Sequence, residues 1–71
     1  MREWALSRRE SEVIILIAEG YQSKEIAKRL GLTHSTVKSY VNNIFQKLGA
    51  RSRAEAVAIY LSRFYLASHK N

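Results

Sequence analysis

Apolar residues recur in this chain at spacings of three, four and seven, and no segment shows the two-residue alternation of a half-buried strand. The pattern predicts helices alone. Val13, Ile14 and Ile17 form one stripe, and Ile26, Ala27 and Leu30 another. Val37, Val41, Ile44, Phe45 and Leu48 line the longest segment, as on a helix buried along one face. A last segment carries Ala56, Val57, Tyr60 and Phe64 on one side, and Ala54, Ala58, Leu61 and Tyr65 on another. The elements so defined run over about 8–19, 24–30, 34–48 and 53–65, an all-α four-helix bundle.

Starts and stops agree with those limits. Ser7-Arg8-Arg9-Glu10 and Ser52-Arg53-Ala54-Glu55 read as capping boxes, and Ser23 and Thr33 as the N-caps of the second and third helices. The three glycines, Gly20, Gly31 and Gly49, fall where three helices must end. Only Gly31-Leu32-Thr33 separates the short second helix from the long third one, so the pair predicts a helix-turn-helix.

The outer face of the third helix sharpens the picture. Ser35, Lys38, Ser39, Asn42 and Gln46 lie opposite the apolar stripe, with one charge and no acid among them. An ordinary solvated helix mixes Glu with Lys, whereas hydrogen-bonding side chains free of acids suit the donors and acceptors of DNA base edges. The net charge is +6, and the stretch from Lys24 to Arg53 holds all of it: Lys24, Lys28, Arg29, Lys38, Lys47, Arg51 and Arg53 against Glu25. Such concentration suits a polyanion, because each neutralised phosphate releases counterions; the alternative is a solubilising positive face.

Seventy-one residues make one domain, 1–71, which buries only about 60% of the surface its unfolded chain exposes. No apolar run reaches the roughly 20 residues of a membrane span, and the first residues lack the apolar core of a signal peptide. A cytoplasmic, nucleoid-associated protein with no membrane partner is expected. The chain has no Cys and no Asp, and neither His34 nor His69 has a second ligand at metal spacing, so no cofactor or metal is expected. Four small packed helices leave little room for a catalytic pocket or a small-molecule site, which argues against an enzyme.

The chain resembles the LuxR/GerE-type helix-turn-helix domain, also found at the C-terminus of response regulators of the NarL/FixJ class. The resemblance rests on Leu6-Ser7-x-Arg9-Glu10-x-Glu12-Val13, Ala18-Glu19-Gly20 and Lys24-Glu25-Ile26-Ala27. It continues through Leu32-Thr33-x-Ser35-Thr36-Val37-Lys38, Asn43-Ile44-x-x-Lys47-Leu48-Gly49 and Arg53-Ala54-Glu55-Ala56-Val57, so it spans about residues 6 to 66. It implies sequence-specific binding to double-stranded promoter DNA as a homodimer. Lys38, Ser39 and Asn42 match positions that contact base edges; Ser23, Lys24, Thr33, Ser35, Thr36, Tyr40 and Lys47 match positions that contact the DNA backbone. Tyr40 stands where the family more often has His, and Tyr60 where a small residue is usual.

Each role has an alternative. The Lys38 ammonium can reach guanine O6 and N7 or settle on a phosphate. Asn42, one turn further, can bridge adenine N6 and N7 or remain a solvated amide. Ser39 is short and needs close approach or a bridging water. Arg51 and Arg53 either touch the backbone or cap the third helix. The fourth helix, apolar on both sides, needs two partners: the core, and either a second copy through Ala54, Ala58, Leu61 and Tyr65 or the segment around Trp4. Ile15 points away from its stripe and should be exposed. The competing function is a protein-interaction module that keeps the fold without reading DNA, with RNA polymerase a candidate partner, as for region 4 of a sigma factor. Met1 and the lack of a linker favour a stand-alone regulator over an excised output domain.

Overall fold

The computed structural model describes residues 5–65, except for the side chains of Phe64 and Tyr65. The expectations for those two side chains, and for Trp4 and His69, lie outside the described residues. The described chain forms α1 (Arg8–Ala18), α2 (Ser23–Leu30), α3 (His34–Leu48) and α4 (Arg53–Tyr60), with a π-helical turn, Leu61–Tyr65, extending α4. Among the described residues no strand occurs.

The local signals account for most of these limits. Ser7 Oγ accepts the Glu10 amide at 3.1 Å while Glu10 Oε1 accepts the Ser7 amide at 2.8 Å, a complete capping box. Thr33 caps α3 through the Thr36 amide. Gly31 ends α2 at φ +70, the left-handed region that a Cβ disfavours. Beyond it the Leu32 amide donates to the Ala27 carbonyl at 2.8 Å, so the helix-turn-helix corner is closed by its own backbone.

Three local readings need correction. Ser23 is not a cap but the first residue of α2: Gln22 holds the cap position, and it makes no side-chain cap hydrogen bond. The first turn closes a residue early because the Ile26 amide reaches the Gln22 carbonyl. The second capping box is only half formed. Ser52 Oγ accepts the Glu55 amide, but Glu55 reaches past Ser52 to the Arg51 amide. The last helix does extend to Tyr65, yet its final turn is wound more loosely than an α-helix. There the Ser62 hydroxyl donates to the Ile59 carbonyl at 3.4 Å, competing for an acceptor the regular ladder would use.

The core gathers Val13, Ile14, Ile17, Ile26, Ala27, Val37, Ile44, Leu48 and Ala56. Ile14, Ile26 and Ile44 are fully enclosed, each worth about 1.5–3 kcal/mol relative to exposure. Val41, Phe45, Val57 and Tyr60 pack on its edge, as does Ile59, which neither stripe of the last helix included. Because α3 packs against α1, α2 and α4, its inner face is held on three sides. Its outer face is thereby left to solvent.

Candidate nucleic-acid interface

Anchoring through Val37, Ile44 and Leu48 fixes the rotation of α3, and the 3.6-residue repeat then determines what faces outward. Ser35, Lys38, Ser39, Asn42 and Gln46 are all exposed. Their side chains make no hydrogen bond or ion pair with any described residue. Lys38 and Asn42, four apart, therefore stand on neighbouring turns of one open surface.

The flanking polar residues are less alike. Lys24 is exposed and Ser23 half-buried at the start of α2. Thr33 Oγ1 donates to Thr36 Oγ1 at 2.9 Å, so of these two hydroxyl protons only that of Thr36 is uncommitted. Tyr40 is half-buried, its ring packed on the core edge. Lys47 is engaged: its ammonium lies 2.7 Å from Glu10 Oε1 on α1. Burial acts to raise the Glu10 carboxyl, but the Lys47 ammonium and the Ser7 amide and hydroxyl outweigh it and hold the group below its ordinary value. An ammonium has three donors, so the pairing leaves Lys47 able to meet a phosphate as well.

Charge pairing removes little of the positive surface. Arg29 approaches Glu25 at 3.8 Å and Lys47 is paired with Glu10, whereas Lys24, Lys28, Lys38 and Arg51 join no ion pair among the described residues. Arg53 does not cap α3, as one reading had it; Nη1 donates to the Tyr21 carbonyl at 3.0 Å, ahead of α2. Ala54 and Ala58 on α4 are exposed, as is Leu61 at 39%. Ile15 is exposed at 42%, as its place off the α1 stripe predicts.

Residues 4–60 match the family described as bacterial regulatory proteins, luxR family. The chain belongs to the LuxR family. It is thus a LuxR-type DNA-binding domain of a transcription regulator, of a kind that is not an enzyme class. It is 42% identical over 64 residues to the transcriptional regulatory protein LiaR of Bacillus subtilis, covering 90% of this chain and 30% of LiaR. It is 46% identical over 52 residues to the response regulator protein VraR of Staphylococcus aureus, covering 73% of this chain and 25% of VraR.

Among solved structures, that of VqmA from Vibrio cholerae superposes with a TM-score of 0.82 at 33% identity, over 86% of this chain and 28% of VqmA. VqmA is described as a LuxR-type receptor whose dimer shifts conformation in the absence of its target DNA. The chain spans less than a third of the length of these three relatives. Among the described residues no helix is long and apolar enough to cross a membrane.

Two pairings escaped the sequence reading. Glu10 was legible as a cap, but its bond to Lys47 joins residues with no local relation. The junction of Arg53 with Tyr21 is equally remote in sequence and gave no periodic signal.

Proposed function

We propose that this domain reads double-stranded promoter DNA with α3 in the major groove, as a symmetric homodimer formed through α4. Lys38 takes guanine O6 and N7, Asn42 an adjacent adenine, and Ser39 a base edge directly or through water. Ser23, Lys24, Thr33, Ser35, Thr36, Tyr40 and Lys47 meet the phosphate backbone and set register without reading sequence. Ala54, Ala58, Leu61 and Tyr65 form the two-fold surface, so paired half-sites lie about one helical turn, 10 bp, apart. The domain works on nucleoid DNA in the cytoplasm, and RNA polymerase is a partner of the regulator that carries it.

The supporting observation is the combination on α3: an inner face enclosed by three helices, and an outer face of Lys, Ser, Asn and Gln that is exposed and uncommitted. Selection of bound duplexes from a random pool, followed by a salt titration, tests the reading. A two-fold symmetric consensus is expected, with affinity falling by roughly 0.9 log units per log unit of salt for each phosphate neutralised. Salt-independent or absent binding would favour the protein-interaction module.

A further inference from the structure

Tyr21 is where three helices meet. Its amide donates to the Leu16 carbonyl at 3.1 Å, closing α1. Its ring lies under the Arg29 guanidinium of α2, 4.0 Å from the centroid. Its carbonyl accepts Arg53 Nη1 of α4 at 3.0 Å. The next residue, Gln22, caps α2 without a side-chain hydrogen bond, and Ser23 and Lys24 follow at once. A helix start without its own side-chain cap lacks one of the usual constraints on its first turn, so a bond to the preceding peptide weighs more in setting it. Here that is a charged, directional donor from a different helix.

We infer that Arg53 is a positioning residue for DNA binding: through the Tyr21 carbonyl it sets the first turn of α2, and with it the phosphate contact of Lys24. The inference rests on the DNA-reading function proposed above. Arg53 is the first residue of α4, so the same bond ties the helix assigned to the two-fold surface to the helix that meets the backbone. Arg29 stiffens the arrangement from the far end of α2, covering the Tyr21 ring while it approaches Glu25 at 3.8 Å. Dimer geometry and phosphate contact thus share one peptide group.

The test is a double-mutant cycle on the 71-residue chain with a duplex recovered by selection, comparing wild type, Arg53→Ala, Lys24→Ala and the double variant. Positioning requires coupling: the loss of affinity caused by Lys24→Ala should be at least about fivefold smaller when Arg53 is already Ala. In the DNA-free protein, amide and carbonyl resonances of Tyr21 to Lys24 should shift in Arg53→Ala while those of residues 35–46 stay in place. Arg53→Lys, which keeps the charge and a donor, should retain most of the loss caused by Lys24→Ala, whereas Arg53→Met, which keeps the aliphatic stem but has no donor for the Tyr21 carbonyl, takes the place of Arg53→Ala in the cycle if that variant fails to fold. Losses that simply multiply, with resonances of Tyr21 to Lys24 unmoved, would make Arg53 a direct phosphate contact and overturn the inference alone. A wild-type chain that binds no duplex would remove the DNA-reading function and this inference together.

Discussion

One carboxylate oxygen joins the start of α1 to the end of α3: Glu10 Oε1 accepts the Ser7 amide at 2.8 Å and the Lys47 ammonium at 2.7 Å. The group that caps α1 also anchors the last turn of α3. The Glu10 side chain is only 6% exposed, so losing the ammonium would leave a buried charge with only the Ser7 amide and hydroxyl for company.

Lys47→Met should therefore destabilise the fold by about 1–3 kcal/mol, toward the lower figure because Lys47 is partly solvated. The pH dependence follows from a carboxyl held below its ordinary value of 4.5. A depressed carboxyl stabilises the native state fully above that value and loses its contribution as pH falls through the folded-state pKa. Urea midpoints of wild type and Lys47→Met should differ at neutral pH and converge in acid. A gap that persists undiminished as pH falls far below that ordinary value would place the effect elsewhere than the ion pair.

Lys38→Ala should weaken binding to the selected duplex by about 1–3 kcal/mol and relax preference at one base pair. Because the Lys38 side chain is exposed and makes no hydrogen bond or ion pair with any described residue, thermal stability should stay within about 0.5 kcal/mol of wild type. Titration against single-base variants of the site checks both halves. Unchanged discrimination would move Lys38 from base edge to phosphate.

Ala58→Glu tests the outer side of α4. Ala58 is exposed and clear of the core, so the free domain should fold normally. Placed at a two-fold contact, one carboxylate would face its copy, and the complex on a two-half-site duplex should shift from two chains toward one. Sedimentation of the complex gives the stoichiometry; an unaltered two-chain species would take α4 out of the interface.

Gly31→Ala probes the corner between α2 and α3. Beyond its chain neighbours, an added Cβ would meet no atom of a described residue within 4 Å, so the cost is conformational. At φ +70 that cost is about 1–2 kcal/mol, readable by chemical denaturation. Wild-type stability would mean that the corner relaxes to another backbone state.

The fold was legible because its signals are local. Ser7 with Glu10, Thr33 with Thr36, and glycines after three apolar stripes mark helix ends within a few residues of where they act. The outward face of α3 was legible for the same reason, since periodicity fixes Lys38 and Asn42 opposite Val37 and Ile44. What sequence could not supply was pairing across the fold. Lys47 reads as a surface cation until α1 brings Glu10 beneath it, and Arg53 until the turn before α2 offers its carbonyl. Ser23 was misplaced by a preference for hydroxyl caps that the early closure onto Gln22 overrode.

Ser35, Lys38, Ser39, Asn42 and Gln46 are exposed and make no hydrogen bond or ion pair with any described residue, so folding places little demand on their identity. If they read DNA as proposed, a lineage can rewrite those letters one at a time, acquiring new operators while the scaffold stays as robust as before. Retargeting and folding stability are, in this architecture, separate traits.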